Sequence, residues 1–139
     1  MLLHHKFIQV AKNNGKKLAI IDRSTNKRVS YSKALIGSLI LSKKFKKYDS
    51  GFIGIMLPTS AGAMLSVLGA LMSGRTPVMI NYSTGAEKNA KFAQRKCNFR
   101  TIITARALLE KINRPEIDGM VCLEDIMKSL KPVAKIWAA

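Results

Sequence analysis

Acidic side chains are scarce in this 139-residue chain: 8 Asp and Glu stand against 24 Lys and Arg, a formal net charge of +16. The imbalance is uneven. Residues 1–50 hold 12 basic and 2 acidic side chains, residues 51–100 hold 6 and 1, and residues 101–139 hold 6 and 5. Such a balance disfavours cationic partners and favours polyanions such as nucleic acid, anionic lipid head groups or an acidic protein. Aromatics are few as well, at 6%, which argues against a nucleic-acid module that stacks bases on interleaved aromatic side chains. With only two cysteines, Cys97 and Cys122, neither in a C-x-x-C or other metal-ligand spacing, a disulfide framework is excluded. Both thiols are expected to be reduced and buried, as in a cytosolic protein. Low-complexity linkers and internal repeats are missing too. What remains is a chain of ordinary globular composition, long enough for one domain over residues 1–139.

One long stretch lacks charge altogether. Between Asp49 and Arg75 runs "FIGIMLPTSAGAMLSVLGALMSG", long enough on paper to cross a bilayer. Pro58-Thr59-Ser60 divides it into a β-rich half and a small-residue half, and each half fits one element of a packed core. A strand followed by a helix is therefore expected. The opening "MLLHHKF" has too short an apolar run for a signal peptide.

Along the chain the pattern alternates. A helix over "LHHKFIQVAKNNG" places Leu3, Phe7, Ile8 and Ala11 on one face, ending at Asn13-Asn14-Gly15. Residues 18–31 read as a hairpin around "RSTNK". Ser30 is an expected N-cap for a helix from Tyr31 to about Lys47, with Leu35, Leu39 and Phe45 inward. Buried strands follow at 52–57, 76–81, 101–105 and 120–123, separated by helices near 60–73 and 85–97 and by a helical "RALLEKI". Past Ile126, "MKSLKPVAKIWAA" suggests a short helix and an unfinished segment. Strands alternating with helices in this way specify an α/β fold of three layers, a mainly parallel sheet with flanking helices joined by right-handed crossovers.

Few residues suggest chemistry. "NYSTGAEK", with Ser83, Thr84, Gly85 and Lys88, follows a strand and opens a helix, where a helix dipole favours an anion. A phosphate loop, however, needs several closely spaced glycines and a lysine fixed by spacing; here one glycine stands three residues before the lysine. Ser83 or Thr84 is better read as a helix cap, with Glu87 completing a capping box if Thr84 is the cap. His4 and His5 are adjacent on a helix, about 100° apart, and cannot share a metal with each other alone; exposed positions are expected. Glu124-Asp125 sits at a strand end without a spaced His, Ser or Cys partner, so a cap for the following helix is expected. Lys43, Lys44, Lys46 and Lys47 around Phe45 read as a solvated helix end that complements the dipole. No catalytic, cofactor-binding or metal-binding residue is assigned from these patterns.

The order of elements and several strings resemble the N-terminal portion of the AMP-forming acyl-adenylating enzymes. "RVSYSKAL" looks like the start of that family's early helix. "IGIMLPTSAGAMLSVLGALMSGRTPVMINYSTGAEK" resembles its strand–helix–strand unit, in which a Gly-Arg-x-Pro turn leads to a strand ending in Asn. Within the family, "GRTPVMINYSTG", "TIITARALLEK" and "VCLEDI…AKIWA" look most like acyl-[acyl carrier protein] synthetases. The resemblance runs from about Leu3 to the end of the chain and implies the N-terminal subdomain of the acyl-adenylating fold. It implies that a whole enzyme would use ATP and Mg to convert a fatty acid to its acyl-adenylate, then pass the acyl group to acyl carrier protein or CoA. The family's Ser/Thr/Gly-rich adenylation loop ending in Pro-Lys-Gly, its later acidic motifs and its C-terminal lysine are absent from this sequence. The chain alone is therefore expected to be inactive and to hold no cofactor. By the same resemblance the whole enzyme is expected in the cytoplasm, with an anionic membrane surface as a further partner. No specific nucleic acid is expected, and the isolated domain could form a homodimer through apolar surface that the rest of the enzyme covers. The competing expectation from composition is a free-standing basic module for nucleic acid or an anionic lipid surface.

Overall fold

The computed structural model describes residues 2–130; the expectations for Lys131–Ala139 lie outside the described residues. Helix α1 (Leu3–Asn13) leads into an antiparallel hairpin of β1 (Leu18–Asp22) and β2 (Lys27–Ser30). Helix α2 (Tyr31–Phe45) follows, then β3 (Phe52–Ile55), α3 (Ala61–Met72), β4 (Thr76–Met79), α4 (Ala86–Cys97) and β5 (Ile102–Thr104). Helix α5 (Arg106–Lys111), β6 (Met120–Cys122) and α6 (Leu123–Ser129) complete the described chain. The four later strands form one parallel sheet in the order β4-β3-β5-β6.

The sheet is the middle of three layers, as its alternating side chains show. Ile53, Ile55 and Ile103 join Ala34, Leu41, Phe45, Leu65 and Ala70 of α2 and α3 in a core on one face. Met56, Ile102 and Cys122 meet Ala86, Ala90, Leu108 and Leu109 of α4 and α5 on the other. Both faces of β3 and β5 are thus covered, which is why those strands read as unbroken apolar runs. The uncharged stretch after Asp49 is β3, a loop at Pro58 and α3. No described helix is long and apolar enough to cross a membrane.

The inward face of α2 differs from the expected one. Leu39 is 45% exposed and Leu35 only half-buried, while Ala34, Gly37, Ser38, Leu41, Ser42 and Phe45 face inward. The cause is close approach of α3: a Cβ on Gly69 would lie 2.9 Å from Leu41 Cβ and 3.2 Å from the Ser38 carbonyl oxygen. Small side chains make that contact, and Leu39 falls off its edge. Likewise Leu3 is exposed at the first turn of α1, leaving Phe7, Ile8 and Ala11 to pack. Strand β4, expected to be buried, is an edge strand with Met79 62% exposed. Its Pro77 is tolerated because Thr76 N–H and Ile80 N–H donate to Gly51 and Ile55, leaving position 77 turned away from β3.

Ser30 does cap α2, accepting from Lys33 N–H at 3.2 Å. A residue that the sequence reading passed over secures the other end. The Arg75 guanidinium donates to the carbonyls of Tyr48 (2.8 Å) and Lys46 (3.3 Å), where α2 ends, and to Ser73 (2.6 Å), where α3 ends. One cation thus ties two helix C-termini, where unpaired carbonyls and the dipole favour positive charge.

Ser66 presents the opposite case. It is fully buried in α3, and its hydroxyl has no hydrogen-bond partner. Removing a buried, unpaired hydroxyl relieves its desolvation, and alanine is the better helix former. Ser66→Ala is expected to stabilise the chain by about 1 kcal/mol in urea denaturation at pH 7. A loss of stability of that size would mean that the hydroxyl is satisfied.

Candidate functional site

In an open parallel sheet, ligands enter the crevice beyond the carboxyl ends of the strands, where successive crossovers run to opposite sides. Here β4 lies on one side of β3 and β5 on the other, so the crevice lies between the loops that follow β3 and β5. Those loops open α3 and α5, whose N-terminal N–H groups and positive dipole ends would attract an anion. Both helix starts are already occupied by the chain's own carboxylates.

Asp22, at the end of β1, is 5% exposed. Its Oδ2 accepts from Ala61 N–H at 2.9 Å, the first residue of α3, 39 positions away. Its Oδ1 accepts from the Ser24 hydroxyl (2.6 Å), Ser24 N–H (3.0 Å) and Thr25 N–H (3.3 Å). The Ser24 hydroxyl and the Ala61 N–H lower its pKa to about 2, against the opposing effect of burial. Ser60 adds the local cap on the same helix, accepting from Ala63 N–H at 3.1 Å.

Glu124 does the same for α5. Its two carboxylate oxygens accept from Arg106 N–H and Ala107 N–H, each at 2.9 Å. Burial would raise its pKa, but those N–H donors hold it below the usual range. Asp125 forms a two-pronged ion pair with the Arg106 guanidinium at 2.8 and 3.2 Å. That bond pulls the Asp125 carboxyl below its ordinary pKa and raises the arginine. The expectation that Glu124-Asp125 caps the following helix is thus corrected: the pair lies in the first turn of α6, but it serves α5 across space. Reaching from a neighbouring strand end, a carboxylate meets α5 more directly than it meets its own helix.

The "NYSTGAEK" loop lies beyond β4 and is organised by two asparagine side chains. Asn81 Oδ1 accepts from Ser83 N–H (3.0 Å) and the Ser83 hydroxyl (2.6 Å). Asn89 Nδ2 donates to the carbonyls of Asn81 (3.0 Å) and Thr84 (2.9 Å). Neither Ser83 nor Thr84 caps α4, and no capping box forms. Gly85, in the left-handed region at φ 64°, is the capping residue, and it has no side chain to bond. Glu87 pairs instead with Lys91 at 2.9 Å, and Lys88 is exposed. Asn81 engages Ser83 in a local Asx turn, its side chain mimicking a backbone turn over two residues.

The other candidates separate. His4 is half-buried rather than exposed, and burial followed by the neighbouring His5 lowers its pKa. Cys97 is half-buried and Cys122 buried; both are free thiols. Sequence spacing gave no hint that the fold would bring Glu116, Cys122 and Asp125 within 4.8 Å of one another. The Cys122 thiol donates to Glu116 at 2.9 Å. Burial, then that carboxylate, pushes it up to about 12. A thiol held protonated, next to an aspartate already paired with arginine, is poorly set up as a metal ligand or a nucleophile. Lys43, Lys46 and Lys47 are exposed and Lys44 half-buried at the end of α2, as a solvated helix end requires.

No family model matches the chain. Solved structures do share its fold. A nonribosomal peptide synthetase bound to α-methyl-L-serine-AMP superposes with a TM-score of 0.76 at 13% identity, covering 89% of this chain and 14% of the other. The N-terminal domain of FACL13 from Mycobacterium tuberculosis gives 0.75 at 14% identity, covering 92% and 35%. O-succinylbenzoate coenzyme A synthetase from Bacillus subtilis gives 0.71 at 15% identity, covering 88% and 27%. At such identities the likeness establishes the fold: an α/β unit with a parallel four-stranded sheet, as in the N-terminal subdomain of acyl-adenylating enzymes. The chain spans about a third or less of each of these proteins.

Proposed function

We propose that this chain is the N-terminal part of an adenylate-forming ligase that activates a fatty acid with ATP and transfers the acyl group to acyl carrier protein or CoA. The observation that carries the reading is the fold shared over some nine-tenths of the chain with N-terminal regions of adenylating enzymes. The fatty-acid assignment is the finer step. It rests on ordered strings that resemble the synthetase part of the bifunctional 2-acylglycerophosphoethanolamine acyltransferase/acyl-[acyl carrier protein] synthetase. In this reading residues 2–130 are scaffold. ATP and Mg belong to later parts of the enzyme, because the two helix starts best placed for phosphate are taken by Asp22 and Glu124. Exposed Phe52 and Met79, beside the open edge of β4, are surface for the rest of the enzyme or for a second copy to cover. The basic surface then serves docking on an acidic carrier or an anionic membrane.

Two measurements test this. The 139-residue chain titrated with MgATP should give no heat at micromolar concentrations and should exchange no pyrophosphate into ATP. Micromolar binding that disappears in Lys88→Ala would instead make the 81–88 loop a nucleotide site. A reading frame that continues past Ala139 into a Ser/Thr/Gly-rich loop, whose product exchanges pyrophosphate only with fatty acids, would establish the assignment. Exchange with amino or aryl acids alone would keep the ligase and replace its substrate.

A further inference from the structure

Away from the strand ends, a groove of about 560 Å³ opens between the hairpin, α2, the start of α3 and α6. Its floor is apolar, with Val29, Ile40, Leu41, Leu65, Leu123 and Met127 contributed by four elements, and Gly37 and Gly62 also line it. Its rim is basic: Lys27 and Arg28 on β2, and Lys33 in the first turn of α2. The one carboxylate in the lining, Asp22, has both oxygens engaged by Ser24, Thr25 and Ala61. None of the ion pairs among the described residues involves a rim cation.

We propose that this groove is a docking site for an amphipathic helix of a partner protein, its apolar face on the floor and its acidic residues against Lys27, Arg28 and Lys33. The proposal stands on the groove and not on the ligase reading. Three features select this occupant. Charge complementarity demands acidic residues beside an apolar stripe, a pattern that one helix face provides with anchors at i, i+3 or i+4, and i+7. The lining contains no aromatic side chain, so nucleic-acid bases would find nothing to stack on. The apolar surface is concave, whereas membrane binding needs an apolar face that enters the lipid. A floor built partly from methionine and leucine can repack around an anchor.

The test uses the full chain and a fluorescein-labelled amphipathic peptide of about 15 residues, long enough to hold a helix, with leucine on one face and glutamate on the other. Fluorescence anisotropy should show saturable binding that weakens as salt rises. Ile40→Glu should weaken it about tenfold, as should Met127→Glu from the opposite wall should Ile40→Glu fail to fold by circular dichroism. Lys27→Glu, Arg28→Glu and Lys33→Glu together should weaken it about tenfold and reduce its salt dependence. Equal binding of a peptide with the same composition scrambled would overturn the proposal in favour of charge alone. Displacement of the peptide by micromolar dodecanoate would overturn it in favour of a small amphiphile. A chain ending at Leu130 that binds at least tenfold tighter would mean that residues 131–139 are the occupant instead. Peptide binding that declines as the chain itself is concentrated would assign the groove to a second copy.

Discussion

Gly119→Ala is expected to destabilise the chain by about 4 kcal/mol, a large part of the 5–15 kcal/mol available to a domain of this kind. Gly119 leads into β6 with φ 94°, and its carbonyl accepts from Ile102 N–H at 3.0 Å, which begins the β5–β6 pairing. A Cβ there would overlap the Arg100 carbonyl oxygen and come within 2.9 Å of Gln94 Nε2. Gln94 bonds the carbonyls of both Arg100 and Asp118, so the whole junction of α4, β5 and β6 would have to move. Gly51→Ala is the control. Gly51 has the same φ of 94° and nothing within 4 Å of its Cβ position, so only the backbone strain of roughly 1–2 kcal/mol applies. Thermal unfolding should place Gly119→Ala more than about 10 °C below the parent and Gly51→Ala only a few degrees below it. Equal shifts would show that the β5–β6 junction yields without cost.

The second large effect is at Asp22. Asp22→Ala removes four hydrogen bonds to a carboxylate and unties the hairpin from α3, at a cost of about 3 kcal/mol. Asp22→Asn keeps an acceptor for Ser24 and Thr25 but turns an N–H toward the Ala61 N–H, and should fall between. The pH dependence separates charge from packing. In the folded chain the carboxyl titrates near 2, below its ordinary value of 3.8. A lowered pKa contributes stability above the unfolded value and loses it as pH falls toward the folded one. The parent should therefore lose roughly 2 kcal/mol more than Asp22→Asn between pH 5 and pH 2, read from urea midpoints. Parallel curves would mean that Asp22 carries no charge-dependent stability.

The layers, the strands and the split of the uncharged stretch at Pro58 were legible because continuous apolar runs and helical spacing are properties of neighbouring residues. Ser30 was legible for the same reason, since a cap and its helix are adjacent. Asp22, Glu124 and Arg75 were not. Each bonds backbone groups 17 to 39 positions away, and nothing within a local window separates such a residue from a solvated charge. Leu39 misled for a related reason: the spacing of large side chains marks a helix face only when the partner helix is not close enough to demand small ones. At 81–88 the expected cap at Ser83 or Thr84 gave way to Asn81, because a local pattern does not say which of several short polar side chains organises a turn.

The strand order β4-β3-β5-β6 bears on how the chain is made. Every strand after β3 pairs with a strand already synthesised: β4 with β3, β5 with β3, and β6 with β5. The sheet can therefore grow outward from β3 as the chain leaves the ribosome, and no inserted strand has to part an existing pair. At about 5–20 residues per second, β6 emerges roughly one to three seconds after β5. During that interval the far edge of β5, which β6 later pairs, is open.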